Sequence, residues 1–538
     1  MSSRFAGSVL YVLALACIAV SSVTAQSFRV QCPTSTITHP ASLTNVNAEP
    51  AYTGPTTYVV SSDATKQYQL PTAGVNGAIK CQQISGGDGY ATMADGTQTY
   101  MFSFGPLSGI TDISNGLPGT QFPSVFNTLP PSTLVPGDPA TTGVSYNGAV
   151  GLAHDLDNGG GLDGHVDPRP IMDVGVMNGN IPAPLMAIDE DDEFFLTLSN
   201  VGMIMRPDLF EQHTVHFHGY PNASAFYDGV PDASVAINIG GSFTYYYLAP
   251  DAGTYFWHCH ITPPEHLQMG MVGQIYVRPR QDRVPANTSL YASLQAQQTD
   301  LRTACNPAVD ILCSNPLPPS NSVTHVNNIF TKPPPLGLYG TAVQGPTLYA
   351  YNDGDGSTAY DVEYPLQIHG FDPNFHFVGM TFNPEGFADM KDKFFLLNGR
   401  SYPDTVAAGP LETQSADGTK HFSQPLPSII NIPSGGRALL RISDLDVTEY
   451  QTLASLGIPM QVIGYNAKLL RDQAGNNMYY NTNSITLAGG ESLDVILDAS
   501  NTSLYPSGSV FYLYTPQLDH LANDAENFGG LMTEIHVN

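Results

Sequence analysis

Residues 213–219 read HTVHFHG, and residues 255–271 read YFWHCHITPPEHLQMGM. Both segments are dense in β-branched or aromatic residues, as strands are. Side chains along a strand alternate between faces with period two. His216 and His218 therefore share a face, and His213 points to the other. In the second segment His258 and His260 share a face, with Cys259 and Trp257 opposite. If the two strands lie in one sheet, two clusters form back to back. One holds His213 and Cys259, completed by His266 and a methionine from the turn beyond. The other holds His216, His218, His258 and His260.

A thiolate, two imidazoles and a thioether are the ligand set of a type 1 copper site. Met271, five residues after His266, is favoured over Met269 as the axial ligand. The four-histidine face suits one or two further copper ions bound by imidazole alone. Zinc is the main competitor, but it needs no methionine. Cys259 joins the clusters covalently, because its own neighbours His258 and His260 belong to the second. Trp257, the only tryptophan, is expected to pack in the core beside Cys259.

Outward from these segments the chain keeps the same character. Short runs such as TQTYMFSFGPL (97–107), FFLTLSN (194–200), FTYYYLA (243–249) and GQIYVRP (273–279) are separated by turns rich in the 51 glycines and 43 prolines. The pattern is all-β. Residues 26–77 read as an extended N-terminal arm, 108–180 as a loop-rich Gly/Pro/Asp insertion, and 281–345 as a Pro-rich linker. Strand-dense blocks cover 78–280 and 346–538. Acidic Gly-rich loops at 155–167 and 352–356 lack full calcium-loop spacing and read as solvated turns. His39, His154, His165, His325 and His421 stand alone in the sequence and are expected at the surface.

Arg4, an apolar run to about Val20 and the small residues Val23-Thr24-Ala25 form a signal-peptide pattern over 1–25. A secreted or periplasmic protein is expected, with no later stretch apolar enough to span a membrane. The remaining cysteines are Cys32, Cys81, Cys259, Cys305 and Cys313, an odd number. Cys305 with Cys313 and Cys32 with Cys81 are the expected disulfides, leaving Cys259 over. With 19 basic and 47 acidic residues the formal charge is -28, which excludes nucleic acid as a partner. The acidic surface leaves a metal cation or a basic protein open as reductant.

These motifs resemble the multicopper oxidases, the laccase-like family built from cupredoxin domains. HTVHFHG is similar to the family's HxxHxHG segment, and HCHITPPEHLQMGM to its HCH…H…M segment. The resemblance implies two cupredoxin-like Greek-key β-sandwich or barrel domains. It implies type 1 copper on His213, Cys259, His266 and Met271, a type 2 ligand in His216, and type 3 ligands in His218, His258 and His260. Asp228, in AFYDGVP, stands where the family has an acidic residue that relays protons to O2. YPLQIHGFDPNFH, FFLLNGRSYPDT, IPMQVIGYNAKLL and ITLAGGESLDVILDAS resemble the family's second domain, here without copper ligands.

Two departures bear on function. Cys259 and His266 are seven residues apart, where the laccase-like pattern has five. Pro263 and Pro264 stiffen the longer loop. The second half also lacks partner histidines: GIPMQVIGYN and FYLYTPQLDH stand where HxxHxHG and HCH are expected, and His369, His376, His520 and His536 are scattered. A family cluster takes four histidines from each of two domains, so completing one here requires a partner chain or a homo-oligomer. The implied activity is a copper-dependent oxidase. It takes electrons from a small-molecule, metal-ion or redox-protein reductant at type 1 copper and passes them through Cys259 to O2. The alternatives are a non-catalytic copper electron-transfer protein and a copper nitrite reductase-like enzyme.

Overall fold

The computed structural model describes residues 28–41, 49–52, 56, 58–65, 68–72, 75–131, 146–156, 159–219, 224–249, 251–297, 317–318, 347–380, 386–414 and 420–538. The signal-peptide pattern and the Cys305/Cys313 pair lie outside them, as do His325 and most of 281–345.

Two β-sandwiches form the body. In the first, one sheet orders Gln98–Pro106, Ile79–Thr92, Glu193–Gly202 and Ser242–Leu248. The facing sheet orders Met186–Asp189, Val272–Arg278, Gly253–His258 and His216–Phe217. Alternation decides which residues face inward. Phe194 opposes Tyr247 and Leu196 opposes Tyr245 on one sheet; Ile275 opposes Tyr255 and Phe217 opposes Trp257 on the other. All of these side chains are buried in a single core.

The second sandwich pairs a seven-stranded sheet with a five-stranded one. The larger sheet centres on Val362–Phe371, Arg437–Asp444 and Ser492–Asp498; the smaller contains Met532–Val537, Val510–Tyr514 and Gln451–Leu456. Leu366, Ile368, Leu440, Val495, Leu453 and Ile535 fill the space between them.

The two sandwiches meet through sheet faces that carry polar groups. Gln274 Nε2 donates to Arg441 O at 2.9 Å and to Ser443 Oγ at 2.8 Å, and Thr254 Oγ1 donates to Asp494 at 2.6 Å. Glu363 lies between Arg278 and Arg441, at 2.5 and 3.0 Å. All of these side chains but Arg278 are buried, and most of their polar groups are paired across the junction.

The 108–180 insertion is more ordered than its composition suggests. Short helices at Ile110–Ser114, Pro123–Phe126 and Pro168–Gly175 gather Ile110, Tyr146, Val150, Ile171 and Val174 around Phe28 of the arm. Proline opens two of these helices, where its missing N–H costs nothing. The arm is tied down by a Cys32–Cys81 disulfide.

His39 departs from its expected surface position. It is 1% exposed, with Nδ1 2.6 Å from Glu193 Oε2 and Nε2 2.9 Å from Asn76 O. Burial works against its charged form, but the hydrogen bond and charge of Glu193 outweigh it and raise its pKa. A histidine with a raised folded-state pKa stabilises fully below its ordinary value near 6.5, and that stabilisation is lost as pH rises through the folded value. The protection of the amides in residues 36–41, corrected for intrinsic base-catalysed exchange, is therefore expected to fall above neutral pH, and His39→Phe to remove that fall.

Asp353 also departs from the solvated turn expected at 352–356. It is fully buried and accepts from Gln281 Nε2 at 2.7 Å, Thr358 N at 2.7 Å and Gly356 N at 2.8 Å. Its carboxylate organises the turn itself. His154 and His165 are exposed, as expected.

Candidate metal centre

The strands carrying the two motifs are neighbours. His216 pairs with His258 and Phe217 with Trp257, antiparallel. The ladder is only two residues long, and Cys259 and His260 lie just beyond it. His213 is held separately by a bridge to Ile237. The turn after Cys259 forms the helix Pro263–Gln268, with both prolines in its first turn and His266 inside it. This extra helical turn accommodates the seven-residue spacing.

His213, Cys259 and His266 gather behind the ladder, fully buried, with ligand atoms within 4.8 Å of one another. Cys259 Sγ lies 3.3 Å from His266 Nδ1 and 4.0 Å from His213 Nδ1, and it accepts from Thr214 N at 3.4 Å. Cys259 is a free thiol. The Met271 backbone is tied to both neighbours: its N–H donates to His266 O at 2.8 Å, and its carbonyl accepts from Cys259 N at 3.1 Å. Met269 and Met271 are both fully buried in the surrounding core.

Room for the His213 ring depends on a glycine. A Cβ at Gly86 would stand 2.6 Å from His213 Cδ2. Burial, and then the charge of His266, hold the His213 pKa well below its ordinary value. Burial also opposes charge on His266, but Cys259 and Glu211 outweigh it and push the pKa up to about 9. Glu211, which the sequence did not single out, has Oε2 3.7 Å from His266 Nε2.

The opposite face brings together His216, His218 and His258, again with ligand atoms within 4.8 Å. Two of the three Nδ1 atoms meet a backbone carbonyl. His216 Nδ1 donates to Asp228 O at 2.7 Å, and His258 Nδ1 to Cys259 O at 2.7 Å. His218 is supported by the Gly490 backbone. Bonds of this kind fix the tautomer and leave Nε2 as a lone pair.

His218 Nε2 and His258 Nε2 face each other at 3.0 Å. At that distance the two nitrogens either share one proton in an N–H···N hydrogen bond or, with both as lone pairs, can hold a cation between them. Burial, then the neighbouring histidine charges, lower both rings' pKa, that of His218 to about 4. Both are therefore neutral and able to bind metal at neutral pH.

His260 lies against this group. Its ring centroid is 5.1 Å from that of His216 and 5.4 Å from that of His258, and its N–H donates to Thr214 Oγ1 at 2.9 Å. Asp228 Oδ2 is 3.5 Å from His216 Nδ1. From the second half of the chain, Gly490 comes so close that a Cβ there would stand 2.8 Å from His218 Nδ1; its φ of +91° also favours glycine.

Trp257 is fully buried, stacked obliquely on Phe104 at 5.2 Å. His369 and His376 lie buried against the His266 loop, and His520 is buried against Phe395. Among the described residues no helix is long and apolar enough to cross a membrane.

Residues 164–282, which carry this whole constellation, match the multicopper oxidase family model. This segment is similar to multicopper oxidases. The chain is 32% identical over 128 residues to laccase abr2 of Aspergillus fumigatus, covering 23% of this chain and 20% of that protein. It is 30% identical over 142 residues to multicopper oxidase MCE of Talaromyces pinophilus, covering 26% and 22%. A copper-containing nitrite reductase of Rhizobium meliloti is 35% identical over 109 residues, covering 19% and 26%. The match spans about a fifth to a quarter of the length of these relatives. Among solved structures, the blue copper oxidase from Nitrosomonas europaea aligns over 85% of each chain at 16% identity, with a TM-score of 0.45.

Proposed function

We propose that the protein is an exported copper-dependent oxidoreductase of the multicopper oxidase type, coupling one-electron oxidation of a reductant to reduction of O2. The observation that carries the metal reading is the convergence of His213, Cys259 and His266 on one face of the strand pair and of His216, His218 and His258 on the other, each group with ligand atoms within 4.8 Å of one another. Thiolate plus imidazole on the other face, with thioethers buried alongside, fits copper better than zinc. His213, Cys259, His266 and Met271 would hold a type 1 ion; His216, His218, His258 and His260 would hold the second centre. Copper in these places supplies one-electron redox chemistry and an O2 site.

The chain's own residues supply the rest. Cys259 contributes its thiolate to one face while its flanking histidines serve the other, so the two centres share a short covalent path. Asp228 stands 3.5 Å from His216 Nδ1 and can hold a proton at Oδ2 for the open face. Glu211, partly exposed beside His266, marks the side from which a reductant approaches. The Cys32–Cys81 disulfide suits an oxidising, exported compartment. A partner copy that brings further ligands would complete the second centre.

A nitrite reductase-like reading draws on the relative from Rhizobium meliloti and on the three-histidine size of the second group. Copper count separates the readings. The oxidase is expected to carry three or more copper ions per chain and to consume O2 with a phenol or Fe(II). Two ions per chain with nitrite turnover would favour the reductase. One ion and no turnover would leave an electron carrier, and zinc without intense visible absorption would overturn the copper reading.

A further inference from the structure

The scattered histidines of the second half are not idle. The helix Pro263–Gln268 ends immediately before Met269, and the last carbonyls of a helix have no partner within it. His369 Nε2 donates to Leu267 O at 2.9 Å, and the His376 ring is set between two carbonyls, with Nδ1 2.6 Å from Tyr100 O and Nε2 2.9 Å from Gln268 O; a neutral ring donates to one of them at a time. The Gln268 side chain is held at both ends: Nε2 donates to Asp392 Oδ1 at 2.9 Å, and Oε1 accepts from Asp372 N at 3.0 Å. Three hydrogen bonds and the His376 ring contact thus join residues 369–392 to two consecutive residues of the loop.

The clamp is buried and braced. His369, His376, Gln268 and Asp372 are at most 2% exposed. Phe371 stacks on His376 at 3.7 Å, and Thr448 Oγ1 donates to Asp392. Asp372 Oδ2 accepts from Lys391 N at 2.8 Å. Leu267 and Gln268 sit between His266 on one side and Met269 and Met271 on the other.

We infer that His369, His376 and Asp392 are positioning residues for the metal centre: the second sandwich, bare of ligands itself, sets where His266 and the methionines stand relative to Cys259. The inference rests on the reading of His213, Cys259 and His266 as a type 1 copper site. A metal geometry is kept only when its supports hold it to within about 0.5 Å. Losing an outer support of a metal ligand typically costs 10–100-fold in metal affinity, on the order of magnitude expected here.

The test uses the copper-loaded full chain. His369→Leu and His376→Leu are expected to shift and weaken the visible charge-transfer band and to alter the copper hyperfine splitting in electron paramagnetic resonance. Copper loss to a chelator is expected to quicken about 10–100-fold. His369→Gln, whose amide can donate to Leu267 O, restores the parent spectrum. Leu453→Ala, in the second core far from the loop, lowers the unfolding midpoint but leaves the spectrum unchanged. Should a histidine variant fail to fold, Gln268→Leu removes the two side-chain bonds, to Asp392 and to Asp372 N, from the loop side while leaving both histidine contacts in place. A parent protein with no blue band overturns the copper reading and the inference with it. A blue parent whose clamp variants keep the band and hold copper equally well, or whose Leu453→Ala shifts the spectrum as much, overturns the inference alone.

Discussion

Cys259→Ser is expected to abolish the intense visible absorption of the copper-loaded protein while leaving its fold intact. The colour of such a site comes from a thiolate bound to copper, and a serine hydroxyl neither ionises at neutral pH nor binds copper comparably. Cys259 Sγ faces Nδ1 of both His213 and His266, so no other sulfur can replace it without rebuilding the loop. The substitution removes little volume from a well-packed core; a buried hydroxyl costs on the order of 1–3 kcal/mol if it finds no partner. Thr214 N already points at the Cys259 side chain and can donate to the new oxygen. Far-UV circular dichroism should therefore match the parent. His216, His218 and His258 do not depend on the sulfur, so imidazole-bound copper with weak absorption should remain. Persistent blue colour in this variant would refute the assignment of Cys259 as ligand.

How much of this was legible in the sequence depends on how local the physics is. Strand parity needs only the neighbouring residue. It separated Cys259 from His258 and His216 from Phe217 correctly, and the observed pairing of His216 with His258 follows the same logic. The strand ends at His258, yet the His260 ring still packs on His216 and His258, on the side that parity gives it. The long Cys259–His266 spacing was visible, but its resolution as a proline-started helical turn needed the structure. Partnerships across the chain left no local trace. His39 looked isolated because Glu193 lies 154 residues away, and His369 because Leu267 lies 102 residues away. The insertion's glycines and prolines read as loop, yet proline at a helix start is favourable, and Phe28 of the arm supplies the apolar partner those helices lacked.

Removing Glu363 is expected to destabilise the protein more than any other single change at the junction of the two sandwiches. Its carboxylate receives Arg278 at 2.5 Å, Arg441 at 3.0 Å and the Tyr360 hydroxyl at 2.9 Å. Arg441 is fully buried, and its Nη1 and Nη2 have no hydrogen-bond partner, so it leans on Glu363 and on Asp494 at 3.8 Å. Glu363→Leu leaves a buried guanidinium uncompensated, which costs about 3–5 kcal/mol, a large part of a typical stability. Glu363→Gln keeps an acceptor oxygen and should cost less. The pair also predicts a pH profile. Burial opposes the carboxylate's charge, but Arg278 and Arg441 outweigh it and lower the pKa from 4.5 to about 2. A depressed carboxylate stabilises fully above its unfolded value and loses that contribution as pH falls through its folded one. About 3 kcal/mol should therefore disappear between pH 4.5 and 2 in the parent, and the Glu363→Leu variant should lack that part of the slope. Guanidinium unfolding of both proteins at a series of pH values reads this directly; parallel slopes would show that Glu363 does not carry the linkage.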